Sequence, residues 1–502
     1  MTDPLDRHWQ YSYDTSGRLA TVTDPLGGIT RYGYDSQSQL TSVTDKRGNV
    51  IKQLTYDVSG RVREQKFADG GIEKYDYTFA GAVISSTTIT NTLGYHRTLR
   101  FNAVGYVIET IDRLGQRSQI NRDLATNTAL STTGPCGCAE SIKQYDSRGN
   151  TTSSTDRIGG QAKMEYDPVS NRVTKITDRL GHTVNFVYDA RGNLLSSTDS
   201  LNQTTTYTYT SFGQLSTVTD PLGHIRRLEY DEYGNISAAI DPLGNRNTVE
   251  HDLIGRATLH IDGLGRRSIT EYDALDRIAS ITDPSGAKTR YFYDTNGNLT
   301  KVTDALVHSW TGVYDVKNRL TSATDAVGRV SRTTYDSADQ VITTISPSGR
   351  KVRNTYDPRG ALVTMTDALG SVVTYKTDNR GNLISIKDQR GHITTFLYDE
   401  LFRSVGMRDP LGRLSTVSYD ASDNVMETID RLGRRTKFTY DLGNRPTHVT
   451  FADAAVTYTY DAASRVTRID DTQSGTIEWS YDDADRLLSE TTLNGTVSYA
   501  YN

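Results

Sequence analysis

Short runs of apolar and aromatic residues alternate with four-residue polar turns along the whole chain, and this alternation predicts strands joined by tight turns. Residues 14–34 show the unit. A turn at 14–17 precedes a strand at 18–23 (Arg-Leu-Ala-Thr-Val-Thr), and a turn at 24–27 precedes a strand at 28–34 (Gly-Ile-Thr-Arg-Tyr-Gly-Tyr). Thr, Val, Ile and Tyr favour extended structure. Since no stretch carries a sustained 3.6-residue period, we expect almost no helix.

The unit recurs every 21 residues, and this period determines the predicted architecture. Tyr-Asp pairs follow one another at that spacing from Tyr272-Asp273 to Tyr356-Asp357. A fixed period of this size is typical of repeat proteins, in which each unit buries its apolar surface only against its neighbours. We therefore predict an all-β protein in which residues 1–502 form a single array of tandem β-hairpins.

Both turns of the unit have Asp in the first position and Gly in the fourth, which is typical of a type I turn. An Asp there accepts hydrogen bonds from backbone N–H groups, and Pro fits the second position. We predict structural roles for these turn and Tyr-Asp residues, and no catalytic, cofactor-binding or metal-binding residues. The clearest members of the structural set are Tyr13, Asp14, Gly17, Asp24, Gly27, Tyr230, Asp231, Gly234, Tyr293, Asp294, Gly297, Tyr398 and Asp399.

The spacing of apolar residues within each strand predicts how the two faces of the sheet are covered. An aromatic residue often stands two before the Tyr of the Tyr-Asp pair, as Tyr291 does before Tyr293. Such residues share a face, so we expect aromatic columns across neighbouring repeats. Leu299 and Val302 are three residues apart, which in a regular strand places them on opposite faces. Both faces are therefore expected to carry apolar side chains.

The array has one weaker segment and begins and ends inside a repeat. In residues 67–144, Tyr77-Thr78 and Phe101-Asn102 stand where Tyr-Asp is expected, and we interpret the segment as diverged repeats of the same array. Thr2-Asp3-Pro4-Leu5 is a second turn, and Tyr501 occupies a Tyr-Asp position. We therefore expect an array cut mid-repeat at both ends, as part of a longer protein or of a truncated reading frame.

Composition fits a thin sheet and argues against several classes of protein. Hydrophobic residues make up only 35%, and Tyr outnumbers Phe by 31 to 10; a tyrosine ring with its polar tip suits a half-buried surface. Disorder is the alternative interpretation of low hydrophobicity, and the strict period argues against it. A net charge of −5 offers no basic face for nucleic acid. The sequence shows neither a membrane-spanning run nor a signal peptide.

Two groups of residues have metal-ligand chemistry, and each has a simpler interpretation. Cys136 and Cys138 flank Gly137, but a structural zinc site needs four ligands, so we expect free or redox-incidental cysteines. Asp294-Thr295-Asn296-Gly297 is similar to part of a calcium loop but lacks its bidentate Glu. A turn-capping aspartate is the favoured interpretation there.

Three histidines were the remaining candidates for chemistry: His182, His224 and His392 each follow a turn glycine and share a register. A catalytic His needs an oriented partner and a nucleophile, and no motif for either is present. We interpret them as exposed residues at strand starts. Paired carboxylates of a glycosidase cannot be picked from so many equivalent Asp residues.

The segment Tyr293-Asp294-Thr295-Asn296-Gly297-Asn298-Leu299-Thr300, followed by Thr303-Asp304, resembles the repeat unit of the YD-repeat or Rhs family. Related copies cover nearly the whole chain. The family comprises bacterial Rhs polymorphic toxins, wall-associated proteins, the B and C components of insecticidal toxin complexes and teneurins. The resemblance implies hairpins of about 21 residues wound into a spiral sheet, as a partial hollow shell or an open curved sheet.

The resemblance also implies the function. In the bacterial toxins the shell encloses a C-terminal toxic domain, so we expect a non-enzymatic shell segment, secreted or at the cell surface. Its partner would be an encapsulated or C-terminally fused polypeptide of the full-length parent. A cell-surface adhesin or carbohydrate-binding module, with a surface glycan as partner, is the alternative. No conserved core, cleavage motif or cargo domain follows Tyr501, which leaves the enclosing role to the parent protein.

Overall fold

The computed structural model describes residues 1–137 and 139–501, which form forty-seven β-strands in one sheet. These residues contain no helix, which confirms the all-β prediction. It follows that no helix among them could span a membrane. Each strand pairs antiparallel with the strands before and after it, as β2 does with β1 and β3. Among the described residues the first and last strands pair only with their sequence neighbours, so the sheet is open.

We call the repeats up to Ile261 the first winding. Its strands are β1 (Gln10–Tyr13), β2 (Leu19–Thr23), β3 (Ile29–Tyr34), β4 (Leu40–Thr44), β5 (Val50–Tyr56), β6 (Val62–Phe67), β7 (Ile72–Ala80), β8 (Val83–Thr90), β9 (His96–Phe101), β10 (Val107–Ile111), β11 (Arg117–Arg122), β12 (Ala129–Thr133), β13 (Ala139–Tyr145), β14 (Thr151–Asp156), β15 (Gln161–Tyr166), β16 (Val173–Thr177), β17 (Thr183–Tyr188), β18 (Leu194–Thr198), β19 (Thr204–Tyr209), β20 (Leu215–Thr219), β21 (Ile225–Tyr230), β22 (Ile236–Ile240), β23 (Arg246–His251) and β24 (Ala257–Ile261).

The second winding comprises the remaining strands. These are β25 (Arg267–Tyr272), β26 (Ile278–Thr282), β27 (Lys288–Tyr293), β28 (Leu299–Thr303), β29 (Ser309–Tyr314), β30 (Leu320–Thr324), β31 (Val330–Tyr335), β32 (Val341–Ile345), β33 (Lys351–Tyr356), β34 (Leu362–Thr366), β35 (Val372–Thr377), β36 (Leu383–Lys387), β37 (Ile393–Tyr398), β38 (Ser404–Arg408), β39 (Leu414–Tyr419), β40 (Val425–Ile429), β41 (Arg435–Tyr440), β42 (Pro446–Thr450), β43 (Ala455–Tyr460), β44 (Val466–Asp471), β45 (Gly475–Tyr481), β46 (Leu487–Thr492) and β47 (Gly495–Ser498).

Hairpins built on Tyr-Asp turns contain one extra residue in their second strand, and this bulge corrects the predicted distribution of apolar side chains. Tyr293 pairs with Leu299 and Tyr291 pairs with Val302, while Thr300 has no opposite residue. Directly opposed residues of antiparallel strands share a face. Leu299 and Val302 therefore lie on one face together with both tyrosines. The prediction of opposite faces is wrong because a bulge shifts the alternation by one residue.

The predicted aromatic columns are also wrong as cross-strand pairs. Tyr291 and Tyr293 lie opposite aliphatic residues of β28, not opposite other aromatic residues. Each repeat supplies two strands, and neighbouring strands are about 4.8 Å apart. The aromatic strands of successive repeats are therefore separated by an aliphatic strand. Rows of aromatic and aliphatic side chains alternate across this face of the sheet.

The sheet is a single layer whose faces both remain partly wet. Among the described residues only Ala238, Leu259 and Val449 are buried hydrophobic residues, and no large side chain is fully buried. This agrees with the low hydrophobic content. Stability must therefore come from strand pairing and from the hydrogen bonds of the turns, which repeat from one unit to the next.

The turns line the two long edges of the ribbon, and each edge has one kind of turn. We call the turns that follow Tyr-Asp strands, such as 14–17, the Tyr-Asp edge, and those of the Asp-Pro type, such as 24–27, the Asp-Pro edge. In the first of these turns Gly17 N–H donates to the Asp14 carbonyl at 3.0 Å. Gly17 has a φ of 78°, which only glycine adopts without cost. A type I turn followed by such a residue is a common hairpin connection.

The ribbon winds onto itself, so that its Asp-Pro edge meets its Tyr-Asp edge one winding later. Hydrogen bonds across this contact join residues 240 to 271 positions apart, or about twelve repeats. The Asp-Pro edge between Arg7 and Arg226 lies against the Tyr-Asp edge between Ala274 and Asp485. We call this contact the winding joint.

Candidate functional site: the turns and the winding joint

An Asp that begins a turn holds the turn together through its carboxylate, and in many turns both oxygens take part. Asp14 Oδ1 accepts hydrogen bonds from the N–H groups of Ser16, at 2.9 Å, and Arg18, at 3.0 Å. Its Oδ2 accepts from Arg18 Nε at 2.7 Å. The backbone N–H of Arg18, helped by its guanidinium, lowers the pKa of Asp14. The charged form is therefore the one that the turn requires.

The other predicted turn residues occupy the same positions. Asp231, Asp294 and Asp399 accept from the N–H groups two and four residues later, at 2.8–3.0 Å. The fourth-position glycines with left-handed backbone are Gly17, Gly27, Gly234 and Gly297. Asp24 is buried and accepts from the Leu26 and Gly28 N–H groups. Although burial raises its pKa, the bond from Lys46 and those backbone bonds lower it overall.

The tyrosines of the predicted set anchor neighbouring repeats through their phenol groups. Tyr230 donates to the carbonyl of Leu215 at 2.7 Å, and Tyr398 donates to that of Leu383 at 2.9 Å. Tyr293 donates to Ile278 at 3.0 Å. Tyr13 instead is an exposed side chain in the first strand.

The residue four positions after each Asp was missed by the sequence interpretation, although it ties consecutive repeats together. Arg277 Nε donates to Asp273 Oδ2 at 2.7 Å, and its Nη1 donates to the carbonyl of Asp294 at 3.2 Å. The same guanidinium stacks on the Tyr293 ring at 4.5 Å. The available signal was a basic residue recurring four positions after Asp with the period of the repeat.

The three candidate histidines occupy this same position in Asp-Pro turns. Their Nδ1 atoms lie 3.0–3.3 Å from the Oδ2 atom of the turn Asp, in the pairs His182–Asp178, His224–Asp220 and His392–Asp388. Elsewhere Arg takes the same place, as Arg266 does beside Asp262. His182 and His224 lie in the first winding and His392 in the second, and only His392 is exposed. The prediction of exposed histidines is therefore wrong for His182 and His224, which are half-buried because each packs against the Asp of its own turn.

Within the weaker segment, an arginine replaces the tyrosine anchor. Arg122 lies where a Tyr-Asp strand ends, and its Nε donates to the Val107 carbonyl at 2.9 Å. The two residues are 15 apart, as are Tyr293 and Ile278. Arg122 also stacks on the ring of Tyr106 at 5.4 Å. Arg122 thus replaces the hydrogen bond of the tyrosine but not its aromatic ring. A search of the sequence for aromatic residues therefore does not find it.

The winding joint is built mainly from cations on one edge and turn acceptors on the other. Arg47 Nη2 donates to the carbonyl of Asp315 and to Asn318 Oδ1, both at 2.7 Å. Arg7 Nη1 likewise donates to the carbonyl of Ala274 at 3.1 Å and to Asp276 at 2.6 Å. A guanidinium suits these contacts because its five donors lie in one rigid plane.

In two places of the described joint the cations lie on the Tyr-Asp edge instead of the Asp-Pro edge. Lys317 and Arg319 lie on the Tyr-Asp edge and approach Asp69 at 3.2 and 3.6 Å. Arg380 bonds Glu140, and its Nη2 lies 3.0 Å from Cys136 Sγ. Cys136 is disulfide-bonded, so the prediction of a free thiol is wrong for this residue, whose sulfur lies in the joint. Cys138 is outside the described residues.

Asp220, His224 and Asp485 form a group with metal-ligand chemistry at the winding joint. Arg226 and Arg465 both donate to Asp485, so two guanidinium groups already compensate this carboxylate. A cation would have to displace them. The group is explained as part of the contact between the windings.

Two family models match the chain. The model described as RHS Repeat matches residues 1–29, 13–50, 145–183, 188–225, 211–246, 419–456 and 460–497. The model described as Teneurin YD-shell matches residues 258–424. The longest stretch outside these matches, 51–144, contains the segment predicted to have diverged. Comparison with curated proteins found no relative.

Several solved structures have a similar fold. The crystal structure of TcdB2-TccC3-TEV is 12% identical, covers 96% of this chain and 35% of that chain, and has a TM-score of 0.71. TcdB2-TccC3 without its hypervariable C-terminal region is 12% identical, with 98% and 34% covered and a TM-score of 0.67. The Tc holotoxin pore of Photorhabdus luminescens is 14% identical, with 98% and 31% covered and a TM-score of 0.57.

The chain spans about a third of the length of these structures, and at such identities the likeness is one of fold. The repeat motif, the wound sheet of hairpins and the two family models agree with one another. The chain belongs to the Rhs/YD-repeat family.

Proposed function

We propose that the chain is a non-enzymatic segment of a shell wall that encloses or displays a polypeptide, which in the full-length parent is a C-terminal toxin. The family and the fold support the shell-forming role. That the shell encloses a cargo is the part that we add. The wall would act sterically, since a polypeptide behind a continuous wall has no path to solvent.

The winding joint is the observation that carries this proposal. A wound ribbon that left a gap between its windings would let proteases and cargo pass. Here the edges contact each other at several points between Arg7–Asp276 and Arg226–Asp485. Because both partners come from turns that recur along the ribbon, the contact can continue over any number of repeats.

We assign no enzymatic role because the side chains with catalytic chemistry are already engaged in contacts within the turns. The turn aspartates and the three histidines are engaged in holding turns. A nucleophile with its base, or a pair of carboxylates free to act on a substrate, would need side chains released from such contacts. From the matches to the family models and to the toxin-complex structures, we also propose that the protein is secreted or extracellular.

Protease protection tests the enclosing role. A disordered polypeptide with one engineered protease site would be fused after Asn502, and the rate of its cleavage would be compared with that of the same polypeptide on a globular carrier. We expect cleavage slowed about tenfold, because it requires an opening of the wall. A variant with Arg47→Glu, Arg179→Glu and Arg226→Glu should lose this protection, since each change places a carboxylate against an acceptor of the opposite winding.

Equal cleavage rates on the chain and on the carrier would contradict a contribution of this wall segment to enclosure. A control variant, Arg329→Glu, alters an exposed arginine whose sole ion pair among the described residues is with Asp325 of its own turn, and it should keep the protection. The alternative of a glycan-binding module gains no support from the comparisons, and we do not propose it.

A further inference from the structure

Left-handed residues other than glycine are concentrated in the Tyr-Asp turns of the second winding. In the described repeats, eight Tyr-Asp turns of this winding have such a residue in the fourth position, whereas the first winding has one in the fourth position and two in the fifth position of longer turns. In the first winding the fourth-position residue is Ser38, and the fifth-position residues are Asn127 and Asn171. The eight are Asp276, Asn318, Asp339, Phe402, Asp423, Asn444, Ser464 and Asp485. Glycine adopts this conformation without steric cost, so the side chains at these positions require a reason.

Five of the eight side chains contact an arginine of the first winding. Four of these contacts are polar, and they are Arg7–Asp276, Arg47–Asn318, Arg179–Asp423 and Arg226–Asp485. The fifth is the Phe402 ring, over which Arg157 lies at 5.0 Å. Four of these arginines lie in or directly after an Asp-Pro turn, and Arg226 is the second residue of β21, close to the turn that begins at Asp220. The fourth turn position therefore faces across the winding joint, where a glycine would offer no side chain.

A ribbon of similar repeats needs such contacts. If all turns were alike, nothing would determine which turn of the first winding lies opposite a given turn of the second winding. The sequence separation across the joint is 268 residues at Arg47 and 242 residues at Arg179. This difference exceeds the 21 residues of one repeat, so the number of repeats in a winding is not constant along the joint. Strands with a repeating pattern are prone to slip in register, and a slip by one repeat would bring an arginine opposite a different turn.

We infer that the fourth residues Asp276, Asn318, Phe402, Asp423 and Asp485 act as register keys, which select the turn of the first winding that each turn of the second winding faces. They are positioning residues of the wall. A slip by one repeat separates each key from its arginine and leaves that guanidinium against another turn. The inference concerns the wall itself and does not depend on the enclosure of a cargo.

Disulfide trapping tests the register directly. The ideal Cβ position of Gly443 lies 2.9 Å from Leu201 Cδ1 across the joint, so Leu201→Cys with Gly443→Cys reports the observed register. The third turn positions one repeat away are Ser422 and Ala463, and Leu201→Cys with Ser422→Cys or with Ala463→Cys reports a slip. The full chain would be oxidised and its disulfides mapped by mass spectrometry.

The key-free variant changes Asp276, Asn318, Phe402, Asp423 and Asp485 to Gly. We expect the bond between positions 201 and 443 to form several-fold more slowly in this variant, and a slipped bond to appear. Glycine suits the backbone at all five sites, and an unchanged far-UV circular dichroism spectrum shows that the sheet persists.

The matched control changes two fourth residues whose side-chain hydrogen bonds, among the described residues, stay within their own winding. Asn444 accepts from Asn424, and Ser464 accepts from Arg445. Asn444→Gly with Ser464→Gly should leave the trapped register unchanged. Undiminished trapping at 201 and 443 in the key-free variant would overturn the inference, as would equal slipping in the control. Conversely, Arg179→Asp should slow trapping, and adding Asp423→Arg should restore it.

Discussion

The phenol oxygen of Tyr293 lies 3.0 Å from the backbone carbonyl oxygen of Ile278, to which it donates a hydrogen bond. Ile278 begins the strand that precedes β27, so each such bond ties a tyrosine to the strand before it. The same relationship joins Tyr34 to Leu19, Tyr314 to Leu299 and Tyr481 to Val466. The recurring tyrosine thus provides an apolar ring for one face and a hydrogen-bond donor for a backbone carbonyl of the preceding strand.

Replacing Tyr293 by Phe should destabilise its own repeats by about 1 kcal/mol, which is the usual net worth of one hydrogen bond. The ring and its packing remain, so the loss is confined to the bond. Hydrogen exchange measured by mass spectrometry should show faster exchange in β26 and β27. The matched control is Tyr291→Phe, because Tyr291 lies on the same face of the same strand and its phenol makes no hydrogen bond to the described residues. Equal effects of the two substitutions would refute the anchoring role.

The aspartate that begins a turn should be replaceable by Asn but not by Ala. Asp252 Oδ1 accepts from the N–H groups of Ile254 and Arg256, both at 3.1 Å, and Oδ2 accepts from Arg256 Nε at 2.7 Å. Asp252→Ala leaves all three donors unpaired, and we expect a local loss of about 1–2 kcal/mol. Asp252→Asn keeps the Oδ1 acceptor, so that its effect should be clearly smaller. Hydrogen-exchange rates in β23 and β24 measure the stability lost in each variant. Equal losses in the Asn and Ala variants would contradict the proposed role of Asp252 in the turn.

The arginine four positions after the Asp should not tolerate replacement by lysine. Arg277 meets Asp273, the Tyr293 ring and the Asp294 carbonyl at the same time. A lysine ammonium is a point charge without the planar fork and cannot satisfy the three together. We expect Arg277→Lys to lose at least half of the stability lost by Arg277→Ala, measured by exchange in β25 to β27. A lysine variant that matches the parent chain would show that charge alone suffices.

The local part of this structure was predictable because each turn and strand is determined within one repeat. Asp14 and Gly17 specify a turn through contacts at most four residues apart, and the Thr- and Val-rich sequence that follows favours a strand. Every copy repeats the same chemistry, so a weak signal in one repeat was reinforced by the others. The same redundancy indicated the family.

The bulge and the winding joint were not predictable in the same way. Thr300, which has no opposite residue, is of the same type as the paired threonines around it, so nothing in the sequence marks the shift of register. Arg47 looks like any other turn arginine, yet it meets Asn318 at a separation of 271 residues. That separation depends on the accumulated twist and curvature of many strands, which no single repeat encodes.

Weakening the winding joint should loosen the windings while leaving the hairpins intact. Arg47→Ala removes the donors to the Asp315 carbonyl and to Asn318. We expect a larger radius of gyration in small-angle X-ray scattering, with an unchanged far-UV spectrum, and more so when Arg179→Ala is added. The matched control is Arg390→Ala, because Arg390 holds the same turn position in the second winding and is exposed. Scattering that is unaffected by the Arg47 and Arg179 substitutions would show that the cations do not hold the joint.

Acid should destabilise the protein through the turn aspartates. Burial raises the pKa of Asp315 and of Asp441, but the hydrogen bonds from Arg319 and Arg445 outweigh it, so the pKa of each carboxyl is lowered. A carboxyl with a lowered folded-state pKa adds stability above its unfolded value of about 3.9. That stability is lost as the pH falls through the folded-state pKa. We therefore expect resistance to urea to be constant between pH 7 and about 5 and to fall below about 4. Circular dichroism during urea titrations at each pH measures this, and Asp441→Asn should flatten the decline slightly. Resistance that rises below pH 4 would contradict the role of charged aspartates in the turns.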